Sequence, residues 1–320
     1  MGKTAFLFPG QGAQAVGMGK DFYDAFAASR QVYAQASDIL GWDVAAACFN
    51  GPAAELNRTS VCQPAILTTS LAVVAAMREA GLPLVAEATA AAGLSLGEYT
   101  ALVFAGALTL EQALPLVRKR GELMDAACAA SPGGMASVIG MPEDTLNAVC
   151  AEAAQGQVLS PANYNSPDQI VISGHREAVQ RAAALAEQRG AKRAIPLQVA
   201  GAFHSALMAS AAQGLIAVLQ DTPIAPPRLD VVPNVTAVPT RDSAEIRRLL
   251  GLQVDHPVRW SQSVQRLVSD GCDRFVEVAP GKVLTGLLRR IDPSVQAVNI
   301  SAAAQLQELI ENTRKGGNAT

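Results

Sequence analysis

The chain has 320 residues, of which 50% are hydrophobic and 17% are charged, and its formal net charge is −3. This near-neutral balance argues against a nucleic-acid-binding protein, because such proteins usually carry a clear basic excess. The length and the apolar content predict a globular chain with a core large enough for one large or two modest domains.

Short apolar runs alternate with longer amphipathic runs along the chain, and this alternation predicts an α/β fold. A first strand is predicted at TAFLF, residues 4–8, and an alanine-rich strand at EATAAAG, residues 87–93. Helices are predicted over about 20–40, 63–80 and 96–104. A further helix begins after Thr109, because Thr109 and Gln112 have the spacing of a capping box.

The stretch from about 132 to 199 has its own order of predicted elements, which is strand, helix, strand, strand, helix, strand. This β-α-β-β-α-β order is typical of a ferredoxin-like unit. We therefore predict a ferredoxin-like domain, residues 131–199, inserted into a larger domain. The larger domain resumes with predicted helices from about 204 and 282 and predicted strands near 229–235, 274–280 and 297–300.

Residues 93–97, GLSLG, form a G-x-S-x-G motif between the alanine-rich strand and a helical pattern. This is the context of a nucleophile elbow, in which a tight turn after a strand exposes the serine hydroxyl. Ser95 would then lie at a helix N-terminus, where the main-chain amide of Leu96 can help to stabilise an oxyanion. The pattern alone is equally compatible with a serine that merely caps the helix.

A nucleophilic serine needs a base, and the chain has three histidines. His204 lies where the predicted small domain returns to the large one, and clefts form at such boundaries. His175 falls at the start of a predicted surface helix, and His256 precedes a proline in a loop. A hydrolase would place an acid between residues 95 and 204, but no Asp or Glu there follows an obvious strand. We therefore expect a Ser-His pair that another kind of group orients.

Arg120 lies on the apolar face of the helix after Thr109, three residues after Val117 and four before Met124. An inward-facing guanidinium needs a fixed anionic partner, because an unpaired buried charge is strongly destabilising. That partner is either a carboxylate of the protein or a substrate carboxylate bound in bidentate fashion.

The loop PGQGAQAVGMGK, residues 9–20, resembles nucleotide-binding motifs in two ways, since it contains G-x-G-x-x-A and ends in Gly-Lys. Both interpretations fail. Pro9 interrupts the turn, no acidic residue closes a second strand about 20 residues on, and Lys20 precedes Asp21 rather than Ser or Thr.

Segments along nearly the whole chain resemble, in the same order, the malonyl-CoA:acyl carrier protein transacylases and the related acyltransferase domains of fatty-acid and polyketide synthases. The segments are FLFPGQGAQAVGMGK, QPAILTTSLA, GLSLGEYTALVFAGAL, VRKRGELM, ANYNSPDQIVISG, GAFHSALM, HPVRW and EVAPGKVLTGL. The resemblance implies an α/β-hydrolase-like catalytic domain formed by residues 1–130 and 200–320. It also implies transfer of a malonyl group from coenzyme A to the phosphopantetheine thiol of an acyl carrier protein.

The resemblance further implies roles for eight residues. These are Ser95 as the acylated nucleophile, His204 as its base, Arg120 as the group that binds the malonyl carboxylate, Gln11 and Leu96 as the oxyanion hole, the main-chain carbonyl of Gln253 as the group that orients His204, and Gln63 and Asn163 as parts of the substrate channel. We expect no metal and no cofactor, with coenzyme A present only as the thioester substrate.

The five cysteines show no paired short spacing, which predicts reduced, buried thiols. No run of about 18 apolar residues without charge occurs, so we expect a cytoplasmic protein without a membrane partner, and the charge balance predicts no nucleic-acid partner. Two other functions stay open. A serine hydrolase or thioesterase would turn over acyl esters in water without a carrier, and a non-catalytic subunit of a synthase complex would bind the carrier without exchanging acyl groups.

Overall fold

A computed structural model describes residues 2–317, with the main chain alone for residues 314–317. The described residues form nine strands, numbered in chain order: β1 (Lys3–Phe8), β2 (Ala88–Gly93), β3 (Gly133–Ile139), β4 (Leu159–Ser166), β5 (Gln169–His175), β6 (Arg193–Pro196), β7 (Asp230–Val232), β8 (Cys272–Val278) and β9 (Gln296–Ile300).

The same residues form fifteen α-helices: α1 (Lys20–Ala25), α2 (Ala27–Leu40), α3 (Val44–Asn50), α4 (Ala53–Leu56), α5 (Thr59–Glu79), α6 (Pro83–Ala86), α7 (Gly97–Phe104), α8 (Leu110–Ala130), α9 (Glu143–Ala154), α10 (Arg176–Gln188), α11 (Ala209–Asp221), α12 (Ser243–Gln253), α13 (Trp260–Ser269), α14 (Val283–Ile291) and α15 (Ala303–Gly317). A short 3-10 helix, Ala206–Met208, precedes α11.

The larger sheet has five parallel strands in the order β7-β2-β1-β8-β9. Helices cover both faces, and five of the six residues of the central strand β1 are buried. Phe6 and Phe8 pack on one face against Phe104 of α7, with ring centroids 4.6 and 5.4 Å away. Ala5 and Leu7 face the other way and join a second core around Trp260.

The smaller sheet is antiparallel and has the order β4-β5-β3-β6, with α9 and α10 packed against it around a separate apolar core. This is the strand order of a ferredoxin-like unit. The predicted α/β fold, with a large parallel sheet and a smaller unit, is therefore confirmed. The exact domain boundaries at residues 131 and 199 stay a prediction.

The loops after β1 and β2 are brought together by the sheet register. Phe8 pairs with Gly93, so both strands end at the same level, and β8 lies on the other side of β1. In a parallel sheet, the chain connections on the two sides of a central strand lead away in opposite directions. A crevice forms between them at the carboxyl ends of the strands. The glycine-rich loop after β1 and the G-x-S-x-G turn after β2 meet in this crevice.

Several sequence predictions differ from the structure in detail. The predicted helix over 20–40 is two helices, because the extended backbone of Phe26 separates α1 from α2. The alanine-rich β2 forms despite its poor strand propensity, since Ala90–Ala92 are buried between the neighbouring strands and helices. The sequence patterns did not indicate α12 and α13.

Helix α5 is long and apolar enough to cross a membrane, with a mean hydropathy of 1.6 over 18 residues, but 83% of that window is buried inside the protein. Between residues 2 and 317, no group of three or more His, Cys, Asp or Glu side chains is placed to hold a metal ion. All five cysteines are buried and unpaired.

Candidate active site

Ser95 lies in a strained turn between β2 and α7. Its φ of 53° is in the left-handed region, which a residue with a side chain adopts only where its surroundings enforce it. A Cβ on Gly93 would lie 1.8 Å from the main-chain carbon of Gly97, and one on Gly97 would lie 2.1 Å from the carbonyl oxygen of Phe8. The two glycines of the motif are therefore required by close main-chain approach.

We expect Gly97→Ala to lower the free energy of unfolding by about 1–3 kcal/mol, because the new methyl group pushes α7 away from β1. Urea denaturation monitored by circular dichroism measures this change. The control is Gly286→Ala in α14, where a Cβ meets nothing within 4 Å and should stabilise the helix slightly. Equal stability of the two variants would contradict the packing argument.

Two side-chain amides hold the main chain of Ser95. Its N–H donates to Asn234 Oδ1 at 2.6 Å, and its carbonyl oxygen accepts from Gln253 Nε2 at 3.0 Å. Asn234 also donates through Nδ2 to the carbonyl oxygen of Gly93 at 2.7 Å. These bonds offset the backbone strain of the turn. Sequence reasoning missed Asn234, whose one signal is a polar residue inside the apolar segment VVPNV.

Ser95 and His204 form a hydrogen-bonded pair, with 2.8 Å between Ser95 Oγ and His204 Nε2. His204 Nδ1 lies 2.8 Å from the main-chain carbonyl oxygen of Gln253 at the end of α12. A carbonyl oxygen only accepts, so Nδ1 carries the proton and Nε2 is left free to accept the serine proton. The structure thus brings together the three groups that the sequence analysis assigned to nucleophile, base and orienting carbonyl.

Burial, followed by the positive charge of Arg120, lowers the pKa of His204 from 6.5 to about 4. The hydrogen bond to the Gln253 carbonyl opposes this shift. A lowered pKa means that the imidazole is neutral, and therefore competent as a base, at any pH well above 4. Its conjugate acid is correspondingly strong, which favours proton donation to a leaving group.

The rate of Ser95 acylation should therefore not show the acid limb near pH 6.5 that an ordinary histidine would give. We expect the rate constant to vary by less than about threefold between pH 5.5 and 7.5 and to fall only toward pH 4. Quenched-flow intact-mass spectrometry at each pH measures it. A tenfold loss centred near pH 6.5 would contradict the assignment of a low pKa to His204.

Arg120 lies beneath the serine with 1% of its surface exposed. Its Nη1 donates to Gln63 Oε1 at 2.8 Å, and its Nη2 donates to Ser95 Oγ and to Gln253 Oε1, each at 3.0 Å. These partners are all neutral. No carboxylate lies within 4 Å of the guanidinium in the part of the chain that the structure describes.

The guanidinium is thus a buried cation whose hydrogen-bond partners are all neutral, and it lies 5.4 Å from the ring centroid of Tyr99. Burial lowers the pKa of Arg120, and Tyr99 and the nearby carboxylate of Glu98 oppose that shift. An arginine remains charged even so. Its Nε–H is buried without a partner among the described residues. Of the two partners considered for Arg120, an internal salt bridge is absent within the described residues, and a substrate carboxylate stays a prediction.

Two main-chain amides close to Ser95 are available as oxyanion donors. Neither the Gln11 amide nor the Leu96 amide donates to another group within residues 2–317. The loop that carries Gln11 lies against the elbow, because a Cβ on Gly10 would be 2.3 Å from the carbonyl oxygen of Leu94. Leu96 immediately precedes the first turn of α7, where free amides and the helix dipole favour negative charge.

A cleft of about 520 Å³ opens above Ser95 and His204, between the two sheets. Asn163 of β4 lines this cleft, and its expected role in the substrate channel stays a prediction. Gln63 does not line it, because its side chain is fully buried under Arg120. The expectation that Gln63 forms part of the channel is therefore corrected. Its side chain binds the Arg120 guanidinium instead.

The other two histidines lie outside this site. His175 Nδ1 accepts from the main-chain amide of Val158, and His256 Nδ1 lies 2.7 Å from Asp255 Oδ1. Neither contact involves Ser95, His204 or Arg120, which agrees with structural roles for these two residues.

Comparisons of the sequence and of the structure with known proteins all match this chain to acyl transferases. The family model for an acyl transferase domain matches residues 5–319. A malonyl CoA-acyl carrier protein transacylase of Bacillus subtilis is 40% identical over 316 residues, covering 98% of this chain and 98% of that protein. The crystal structure of an acyl carrier protein S-malonyltransferase from Vibrio cholerae has a TM-score of 0.92 and 42% identity, covering 96% of this chain and 99% of that one. The structure of a malonyl-transacylase in complex with its type II polyketide synthase acyl carrier protein has a TM-score of 0.93 and 41% identity, covering 97% and 99%.

Proposed function

The chain belongs to the acyl transferase domain family, and on that premise we propose that it moves a malonyl group from coenzyme A to the thiol of an acyl carrier protein through a Ser95 ester. The resemblance found in the sequence motifs is confirmed by the family match. Malonyl-CoA and an acyl carrier protein are the two substrates, in fatty-acid or polyketide synthesis.

In the first half-reaction, His204 Nε2 takes the proton of Ser95 Oγ as the oxygen attacks the thioester carbonyl carbon. The carbonyl oxygen becomes an oxyanion, which the amides of Gln11 and Leu96 stabilise. The tetrahedral intermediate then collapses with cleavage of the carbon–sulfur bond. His204 returns its proton to the departing sulfur, and free coenzyme A leaves.

In the second half-reaction, the phosphopantetheine thiol of the carrier protein loses its proton to His204 and attacks the Ser95 ester. The oxyanion forms again at the same place, and collapse now breaks the bond to Ser95 Oγ, which recovers the proton from His204. The reaction is therefore ping-pong, and it uses only side chains, main-chain amides and the thioester itself.

The observation that carries this proposal is the buried guanidinium of Arg120, 3.0 Å from the nucleophilic oxygen and bound only to neutral groups. A malonyl group differs from an acetyl group by a carboxylate two carbons from the carbonyl, and a buried guanidinium without an internal carboxylate partner supports Arg120 as the group that binds this charge. Asn163 lines the cleft through which the pantetheine arm would enter.

The test is direct transfer with purified components. After malonyl-CoA and the holo carrier protein are mixed with the enzyme, intact-mass spectrometry should show a malonyl adduct on the carrier, and none should appear on the carrier without its pantetheine. Coenzyme A release should stop after one equivalent when no carrier is present. Continued release without a carrier would support a hydrolase instead, and carrier binding without any adduct would support a non-catalytic subunit.

We also propose that the protein works in the cytoplasm. Its five cysteines are buried and unpaired, as expected for a chain that folds in a reducing compartment.

A further inference from the structure

Glu98 is a buried carboxylate in α7 that takes no part in the mechanism described above. It lies three residues after Ser95, and only 2% of its surface is exposed. No basic side chain lies within 4 Å of it in the described part of the chain. A carboxylate in such a place is tolerated only when donors compensate for the loss of water.

One oxygen of Glu98 accepts both of the hydrogen bonds that the carboxylate makes. Oε2 accepts from the main-chain N–H of Asn234 at 2.9 Å and from Gln253 Nε2 at 2.7 Å. Asn234 follows β7 and Gln253 ends α12, so the carboxylate joins two segments that are distant in the chain.

The two residues that Glu98 joins are those that hold Ser95. Asn234 Oδ1 accepts from the Ser95 amide, and Gln253 Nε2 donates to the Ser95 carbonyl. Both hydrogens of the Gln253 side-chain amide are thereby used, one on Glu98 and one on Ser95. These contacts close a ring that passes from Ser95 through Asn234, Glu98 and Gln253 back to Ser95.

Gln253 extends the ring to the other reacting groups. Its side-chain oxygen accepts from Arg120, and its main-chain oxygen binds His204. The orientation of the Gln253 amide follows from its neighbours, because the guanidinium can only donate and the ionised carboxylate can only accept. A carboxylate that fixes this amide therefore influences the nucleophile, the base and the anion-binding group together.

We propose that Glu98 is a positioning residue for acyl transfer, and that its one shared oxygen sets the geometry of Ser95, His204 and Arg120 through Asn234 and Gln253. This inference rests on the proposed function for the identity of the acyl group. A Ser95 displaced by about 1 Å from its productive position would lose a factor on the order of 10² in rate.

The proposal assigns the effect to the acceptor oxygen and not to the charge. Burial raises the pKa of Glu98 to about 7, and the hydrogen bonds from Asn234 and Gln253 and the charge of Arg120 only partly offset that rise. A protonated acid with its hydrogen on Oε1 still offers Oε2 to both donors. A glutamine in the same position likewise presents one oxygen, so Glu98→Gln separates geometry from charge.

The experiment compares Glu98→Ala and Glu98→Gln with the wild-type protein. We expect Glu98→Ala to lower the rate constant of Ser95 acylation about 10²-fold with both malonyl-CoA and acetyl-CoA, while the KM for malonyl-CoA changes less than about threefold. Glu98→Gln should restore the rate to within about threefold of wild type. The control is Glu277→Ala, which removes a buried carboxylate that binds the amides of Leu284 and Thr285 and touches neither Asn234 nor Gln253.

A second readout requires neither malonyl-CoA nor a carrier protein. Phenylmethanesulfonyl fluoride forms an oxygen–sulfur bond to Ser95 with loss of fluoride, and His204 takes the serine proton. We expect Glu98→Ala to slow this reaction about 10²-fold and Glu98→Gln and Glu277→Ala to leave it within about threefold. A wild-type protein that reacts with the sulfonyl fluoride but transfers no malonyl would refute the proposed function alone.

Three results would overturn the inference about Glu98. Equal loss in the alanine and glutamine variants would assign the effect to charge. Wild-type rates in Glu98→Ala would remove Glu98 from the site. A lowered melting temperature with wild-type rates for the folded fraction would leave it a purely structural residue.

Discussion

Ser95→Ala is expected to abolish the covalent malonyl adduct and to lower malonyl transfer by about 10⁴-fold or more, the scale seen when the nucleophile of a serine enzyme is removed. The substitution removes the atom that attacks the thioester and leaves His204 without its 2.8 Å partner. The turn itself should persist, because Asn234 and Gln253 bind the main chain of residue 95 and not its hydroxyl. Intact-mass spectrometry after mixing with malonyl-CoA measures the adduct, and carrier malonylation measures the transfer.

The matched control for this prediction is Ser269→Ala, which removes a serine hydroxyl from an exposed position at the end of α13. It should form the adduct at the wild-type rate. An undiminished adduct in Ser95→Ala would show that another residue carries the acyl group, and the mechanism would then have to be discarded.

Arg120→Ala should have the second-largest effect, and the effect should depend on the acyl group. Loss of one partner of a buried charge pair costs about 2–5 kcal/mol. The activation free energy of malonyl transfer should therefore rise by that amount, and the rate should fall accordingly. Acetyl transfer should fall much less, because acetyl has no carboxylate for the guanidinium. Steady-state kcat/KM with malonyl-CoA and acetyl-CoA, measured on the same preparations, gives the difference directly.

Arg118→Ala is the control for charge, since it removes an arginine from the same helix at an exposed salt bridge to Glu122. It should leave both activities close to wild type. If Arg120→Ala reduced the two activities equally, Arg120 would be a structural residue, and its contacts with Gln63 and Gln253 would be its whole role.

The sequence predicted the parts of the site that depend on local structure. A glycine pair two residues either side of a serine specifies a tight turn, and the structure has that turn with Ser95 at φ 53°. The apolar face of α8 predicted that Arg120 points inward, which its 1% exposure shows. The strand, helix, strand, strand, helix, strand order of the small unit could also be read from the patterns.

The parts that sequence reasoning missed depend on contacts between distant segments. Gln253 entered only as a main-chain carbonyl, by resemblance, while its side chain binds Ser95, Glu98 and Arg120. Asn234 and Glu98 are single polar residues in apolar surroundings, and nothing local says what they bind. Their roles follow from the register of the parallel sheet and from the position of α12, which the patterns did not indicate.

The cleft draws its walls from the two bodies that carry the two sheets. Ser95, His204 and the ring around them belong to the parallel-sheet body, whereas Met135, Asn163 and Val171 reach the cleft from the antiparallel one. The reacting groups, including Arg120, thus stand on one body, while part of the cleft wall stands on the other. Wall residues of the antiparallel body can therefore be replaced, to change the shape of the cleft, without rebuilding the reacting groups.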